Sequence, residues 1–99
     1  MSDRSRIAAL ATKIAQVEQE IDYWRRHESE VAAQLDMAML SLRQYTSVGQ
    51  LPEHSVSVAV NNHSTALNQI RNTLTTLHNR KAVAESQQRD LMRQLGNGH

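Results

Sequence analysis

Apolar side chains recur along the first half of the chain in alternating steps of three and four residues. The series runs Ile7, Leu10, Ile14, Val17, Ile21, Trp24, Val31, Leu35, Ala38, Leu42 and Tyr45, and Glu28 is the one polar residue standing in it. On an α-helix this spacing draws a single narrow stripe down one side, the seam of a coiled coil. In heptad notation Ile7, Ile14, Ile21, Glu28, Leu35 and Leu42 take position a, and the others take position d. The pattern predicts one helix over about 3–46. Ser2 or Asp3 is placed to accept hydrogen bonds from its first free N–H groups. Gly49 is placed to leave it, because glycine adopts a left-handed backbone without steric cost.

The second half repeats the pattern less strictly, through Val56, Val60, His63, Leu67, Ile70, Leu74, Leu77, Lys81, Ala84, Gln88, Leu91 and Leu95. It predicts a second helix over about 53–95 after a turn at about 47–52. Pro52 suits the first helical position, Glu53 suits the positive end of the helix, and Gly96 supplies the stop. One stretch pulls the other way. Ser55-Val56-Ser57-Val58-Ala59-Val60 alternates with period two and is rich in β-branched residues, which reads locally as a strand. No second strand is in sight to pair with it, so helix is preferred over 55–61, with Asn62 and Ser64 as later candidate starts.

A break this short folds two helices back on each other. The expected fold is therefore all-α: an antiparallel two-helix coiled-coil hairpin spanning 1–99 as one domain. Its register is readable in two ways, since position a of one helix must face position d of the other. A turn centred near Pro52 pairs Leu10 with Leu95, Ile21 with Ala84 and Leu35 with Ile70, residue numbers summing to 105. A turn centred on Gly49 gives pairs summing to 98, such as Val31 with Leu67. The first is preferred, because it lays the Lys81 stem along Trp24 and brings its ammonium near Glu28. On that reading Glu28 and Lys81 form a polar pair in the seam that sets register, and Trp24 is a core anchor.

A single seam leaves little apolar surface to offset the ordering of about 90 residues. More must be covered, and a second stripe is visible. Ala33, Met37 and Leu40 lie at helical spacing off the seam, Met39 flanks them, and Val48, Leu51 and Val58 lie near the turn. Met37, Met39, Leu40, Val48, Leu51 and Val58 are the expected partner-binding residues, taking a second copy in a four-helix bundle or a helix of another protein.

Composition narrows the classes. The 99 residues hold 11 basic and 10 acidic side chains, so the net charge of +1 supplies no general attraction to nucleic acid or anionic lipid. With no cysteine there is neither a disulfide framework nor a thiolate metal site, which fits a reducing cytoplasm, the expected location. No apolar run is long enough to span a bilayer, and none follows Arg4 and Arg6 as a secretory signal would; export by a signal-independent route stays open. The chemistry of a catalyst is not apparent either. The five histidines, His27, His54, His63, His78 and His99, nowhere stand three or four apart. His27-Glu28 begins like a zinc-protease motif but lacks the second histidine. No glycine-rich phosphate loop is present. The expectation is a non-enzymatic protein-interaction module without cofactor or metal: an adaptor, a small chaperone or an assembly subunit. Two readings of other classes remain beside it. One is a nucleic-acid-binding bundle using Arg71, Arg80, Arg89 and Arg93 of the second helix, and the other is a metal-binding bundle using His63 and His54.

Overall fold

The computed structural model describes residues 2–97; Met1, Gly98 and His99 lie outside the described residues. Two helices account for nearly all of it, α1 (Asp3–Ser47) and α2 (His54–Asn97), and they pack against each other as a hairpin. The start of α1 is capped as its sequence implies. Ser2 Oγ accepts a hydrogen bond from the Ser5 N–H at 3.2 Å, and the Ser2 carbonyl accepts from Arg6 N–H. Asp3 places a negative charge in the first turn, at the positive end of the helix.

The turn sets where the chain reverses. Gly49 N–H donates to the Thr46 carbonyl and Gln50 N–H donates to the Tyr45 carbonyl, with Gly49 at φ 71°. This is the Schellman arrangement, which satisfies two carbonyls at the end of α1 and reverses the chain in few residues. A methyl group added at Gly49 would meet nothing within 4 Å, so the glycine is required by backbone conformation and not by space. Gly49→Ala should therefore lower stability by about 1 kcal/mol, and Gly49→Asn by less, because asparagine tolerates the left-handed region. Thermal unfolding followed by circular dichroism checks the order; an alanine variant as stable as wild type would show that another conformer serves equally well.

The second helix starts one residue later than its sequence suggests. Val56 and Ser57 N–H groups donate to the Glu53 carbonyl, making Glu53 the cap, and Pro52 precedes the helix instead of opening it. The restriction that proline places on the residue before it keeps Leu51 out of the helix, and residues 50–53 connect α1 to α2. At the other end Gly96 does not stop the helix, which runs on to Asn97. Glycine in a helix costs only about 1 kcal/mol, so it permits an exit without enforcing one. Residues 55–61 are helical throughout. The local strand tendency yields because Val56 and Val60 reach the seam only as helix, where both are half-buried.

The chain divides into two compact units, residues up to Tyr23 with those from Leu74 onward, and Trp24–Thr73. In the first, Val17, Ile21, Leu74, Leu77 and Ala84 are buried; in the second, Val31, Leu67 and Ile70 are. All are heptad positions. Along α1 every a and d residue from Ile7 to Tyr45 is buried or half-buried, and along α2 the same holds from Val56 to Leu91, with Leu95 exposed.

Cross-helix ion pairs fix the register. In the first unit Lys81 Nζ lies 3.3 Å from Glu18 Oε1 and 3.7 Å from Glu85 Oε1. In the second Arg71 Nε lies 3.4 Å from Glu28 Oε2. The residue numbers of both interhelical pairs, Glu18 with Lys81 and Glu28 with Arg71, sum to 99. They belong to the register centred on Gly49, and the register centred near Pro52 is set aside. With it goes the pairing of Glu28 with Lys81: each seam charge has its own partner across the interface. The cause lies in the turn, where the Schellman reversal at Gly49 puts the midpoint of the hairpin there.

Candidate functional site

Among the described residues no polar or charged side chain is buried, and no buried side-chain nitrogen or oxygen lacks a hydrogen-bond partner. The cavities are open grooves between the helices. One, of about 380 Å³, is lined by Arg6, Leu10, Gln87, Asp90 and Leu91; another, of about 350 Å³, lies beside the turn and is lined by Ser41, Gln44, Tyr45, Gln50 and Val56. Near the first, Gln88 Nε2 donates to the Ile7 carbonyl at 3.5 Å, so this seam amide ties α2 to the first turns of α1. At the second, the Tyr45 phenol is raised above its ordinary pKa by partial desolvation, and further by the Glu53 carboxylate, which opposes a phenolate and accepts its hydrogen bond. Tyr45 thus links the end of α1 to the cap of α2 and stays protonated at neutral pH.

Among the described residues the histidines do not converge. No group of three or more His, Asp or Glu side chains capable of holding a metal ion occurs among the described residues. His63 is half-buried in the seam and His54 is exposed at the start of α2, while His99 lies outside the described residues. His27 lies 3.8 Å from Glu30, and its ring meets Trp24 edge-on at a centroid distance of 5.8 Å. Trp24, expected as the core anchor, is half-buried and is not among the buried side chains, which are all aliphatic. No described helix is long and apolar enough to cross a membrane.

The apolar residues off the seam are where the surface becomes informative. Met37 is 72% exposed, Leu40 55% and Leu51 92%, and Val48, Met39 and Val58 are exposed as well. Their placement is set by the heptad. With Leu35 at position a, Met37 is c and Leu40 is f, as is Ala33 two turns earlier; c and f point away from the seam and hence from α2. Met39 at e lies beside the seam, and Val48 and Leu51 belong to the turn. Val58 is position f of α2, so it faces away from α1, on the side of the unit opposite to Leu40. The six expected partner-binding residues are accordingly not one surface. Met37 and Leu40 form a stripe on the outer face of α1 that leads towards Val48, whereas Val58 belongs to a different face.

That other face carries no apolar repeat, so hydrophobic periodicity does not reveal it. Its signal is an absence: residues 54–70 contain no Asp, Glu, Lys or Arg, and the outward positions Asn61, Thr65 and Asn68 are all exposed neutral polar residues.

Comparison with family models, curated proteins and solved structures finds no match to this chain.

Proposed function

We propose that this protein is a non-enzymatic binding module, an adaptor, small chaperone or assembly subunit, whose seam serves as a stiff support for a partner-binding stripe on α1. The observation that carries the reading is the exposure of Met37 and Leu40 at positions turned away from α2, where α2 cannot cover them. A thioether and a branched aliphatic side chain three residues apart on a helix are the usual anchors of helix-on-helix docking, and methionine adapts to the shape it meets. The partner is a helix with a complementary apolar face. Burying both side chains is worth about 1.5–3 kcal/mol each, enough to change affinity tenfold or more.

A synthetic amphipathic helical peptide with leucine on one face is a suitable probe, titrated calorimetrically into the intact chain. Wild type is expected to bind it in the micromolar range, and the double substitution M37E/L40E to weaken binding at least tenfold. Circular dichroism should show unchanged helicity in the variant, since glutamate is a good helix former and neither residue supports the seam. Equal binding by the two proteins, or none by wild type, would overturn the assignment of this stripe.

A further inference from the structure

Two charges of opposite sign border the Met37–Leu40 stripe on one flank. Asp36 and Arg43 both occupy position b of α1, one before the apolar pair and one after it, and both are exposed. The ion pairs of the described residues use Glu18, Glu28, Glu30 and Glu85 with Lys81, Arg71 and His27, and neither Asp36 nor Arg43 takes part in them. The residues three and four positions away from each are Ala, Met, Leu, Thr or Ser, so α1 itself offers them no opposite charge. An apolar centre with an open acid at one end and an open base at the other is the anatomy of a contact with a charged rim. It is also an order that becomes its own complement when the helix is reversed.

We propose, resting on the reading of this stripe as a docking site, that its occupant is α1 of a second copy of the chain, running antiparallel about a two-fold axis between Met37 and Leu40. Positions c and f make a second seam on the outer face, and in an antiparallel pair c of one helix faces f of the other. With the axis there, Met37 meets Leu40 of the second copy and Leu40 meets its Met37, residue numbers summing to 77. Ala33 meets Gln44 and Glu30 meets Ser47 in the layers outside them, so no like charges face each other. Position b flanks this seam as g flanks an ordinary one, and flanking residues meet slightly further along. Asp36 therefore meets Arg43 of the second copy, with numbers summing to 79, and symmetry makes the pair twice. Each charge stands one heptad, about 10 Å, from its own counterpart. A parallel copy in register would set Asp36 against Asp36 and Arg43 against Arg43. An unrelated helix would not require acid and base to stand on the same flank, one heptad apart, centred within a residue of the apolar pair; a reversed second copy does. The contact is at the small end of specific interfaces, so the dissociation constant is expected on the order of 10–100 µM.

Sedimentation equilibrium of the full chain over a wide concentration range tests it. Wild type is expected to be a weak dimer, and M37E/L40E a monomer. D36R and R43E each turn both rim pairs into repulsions and are expected to weaken the dimer about tenfold. The exchanged variant D36R/R43E should recover wild-type affinity, and an equimolar mixture of D36R with R43E should form a heterodimer as tight as wild type. Single reversals that dimerise like wild type, or an exchanged variant no better than either, would overturn the antiparallel pairing. A wild type that stays monomeric to about 1 mM but binds the leucine-faced peptide through Met37 and Leu40 would overturn the second copy as occupant and leave the docking stripe standing. A dimer that M37E/L40E leaves intact would overturn both.

Discussion

Truncating Leu77 to alanine is expected to cost about 3 kcal/mol of stability and to lower the melting temperature by more than about 10 °C. Leu77 is 3% exposed, the most buried of the large side chains, and in the observed register it lies opposite Ile21, itself 4% exposed. Only eight side chains among the described residues are buried to that degree, so each carries a large share of the hydrophobic stabilisation. Removing three carbons there forfeits their transfer free energy and leaves a void that a two-layer packing has few neighbours to fill. The loss is a substantial fraction of the stability available to a small domain, so part of the population should unfold at 37 °C. Equilibrium urea unfolding gives the number directly. A variant within about 1 kcal/mol of wild type would mean that the seam does not pack as described.

Replacing both seam charges, E28L/K81L, is expected to act in the other direction and stabilise the hairpin by about 2 kcal/mol, contributed independently by the two sites. The Glu28–Arg71 pair has side chains 32% and 59% exposed, and Lys81 is 32% exposed beside Glu18 and Glu85, which are more so. Ion pairs this open to water contribute between nothing and about 1 kcal/mol. A leucine in a seam position gains more, and the charges left behind remain solvated. The cycle of single and double variants is also a test of register. With Glu28 and Lys81 each held by a different partner, the coupling between the two substitutions should lie within about 0.5 kcal/mol of zero. If the two were partners, each single change would strand a charge and the double would recover the loss, so strong coupling would reinstate the register centred near Pro52. On that expectation the two charges cost stability, and a polar residue at position a restricts the alignments a coiled coil can take.

The heptad series makes the two helices and the identity of the seam residues legible, because both depend on properties local to the chain. An apolar residue at every third or fourth position of a helix draws a stripe, whatever that stripe is packed against. The series is a better guide than local tendency even at Ser55–Val60, where alternation and β-branching argue for a strand. The stripe of Met37 and Leu40 is legible for the same reason, as apolar residues at helical spacing off the seam.

Register is beyond what the sequence can decide by itself, and the reason is arithmetic. A heptad pattern repeats every seven residues, and the two candidate alignments, with residue numbers summing to 98 and to 105, differ by one heptad. Both set a against d along the whole hairpin, so burial of apolar side chains barely distinguishes them. Only the tertiary structure breaks the tie, through the Schellman reversal at Gly49 and the non-helical residues 50–53 beyond it. The same geometry pairs Lys81 with Glu18 in place of Glu28, and it puts Leu40 and Val58 on opposite sides of their unit, dividing one anticipated binding surface into two. Helix formation is specified residue by residue; which residues meet across a gap is specified by where the chain turns.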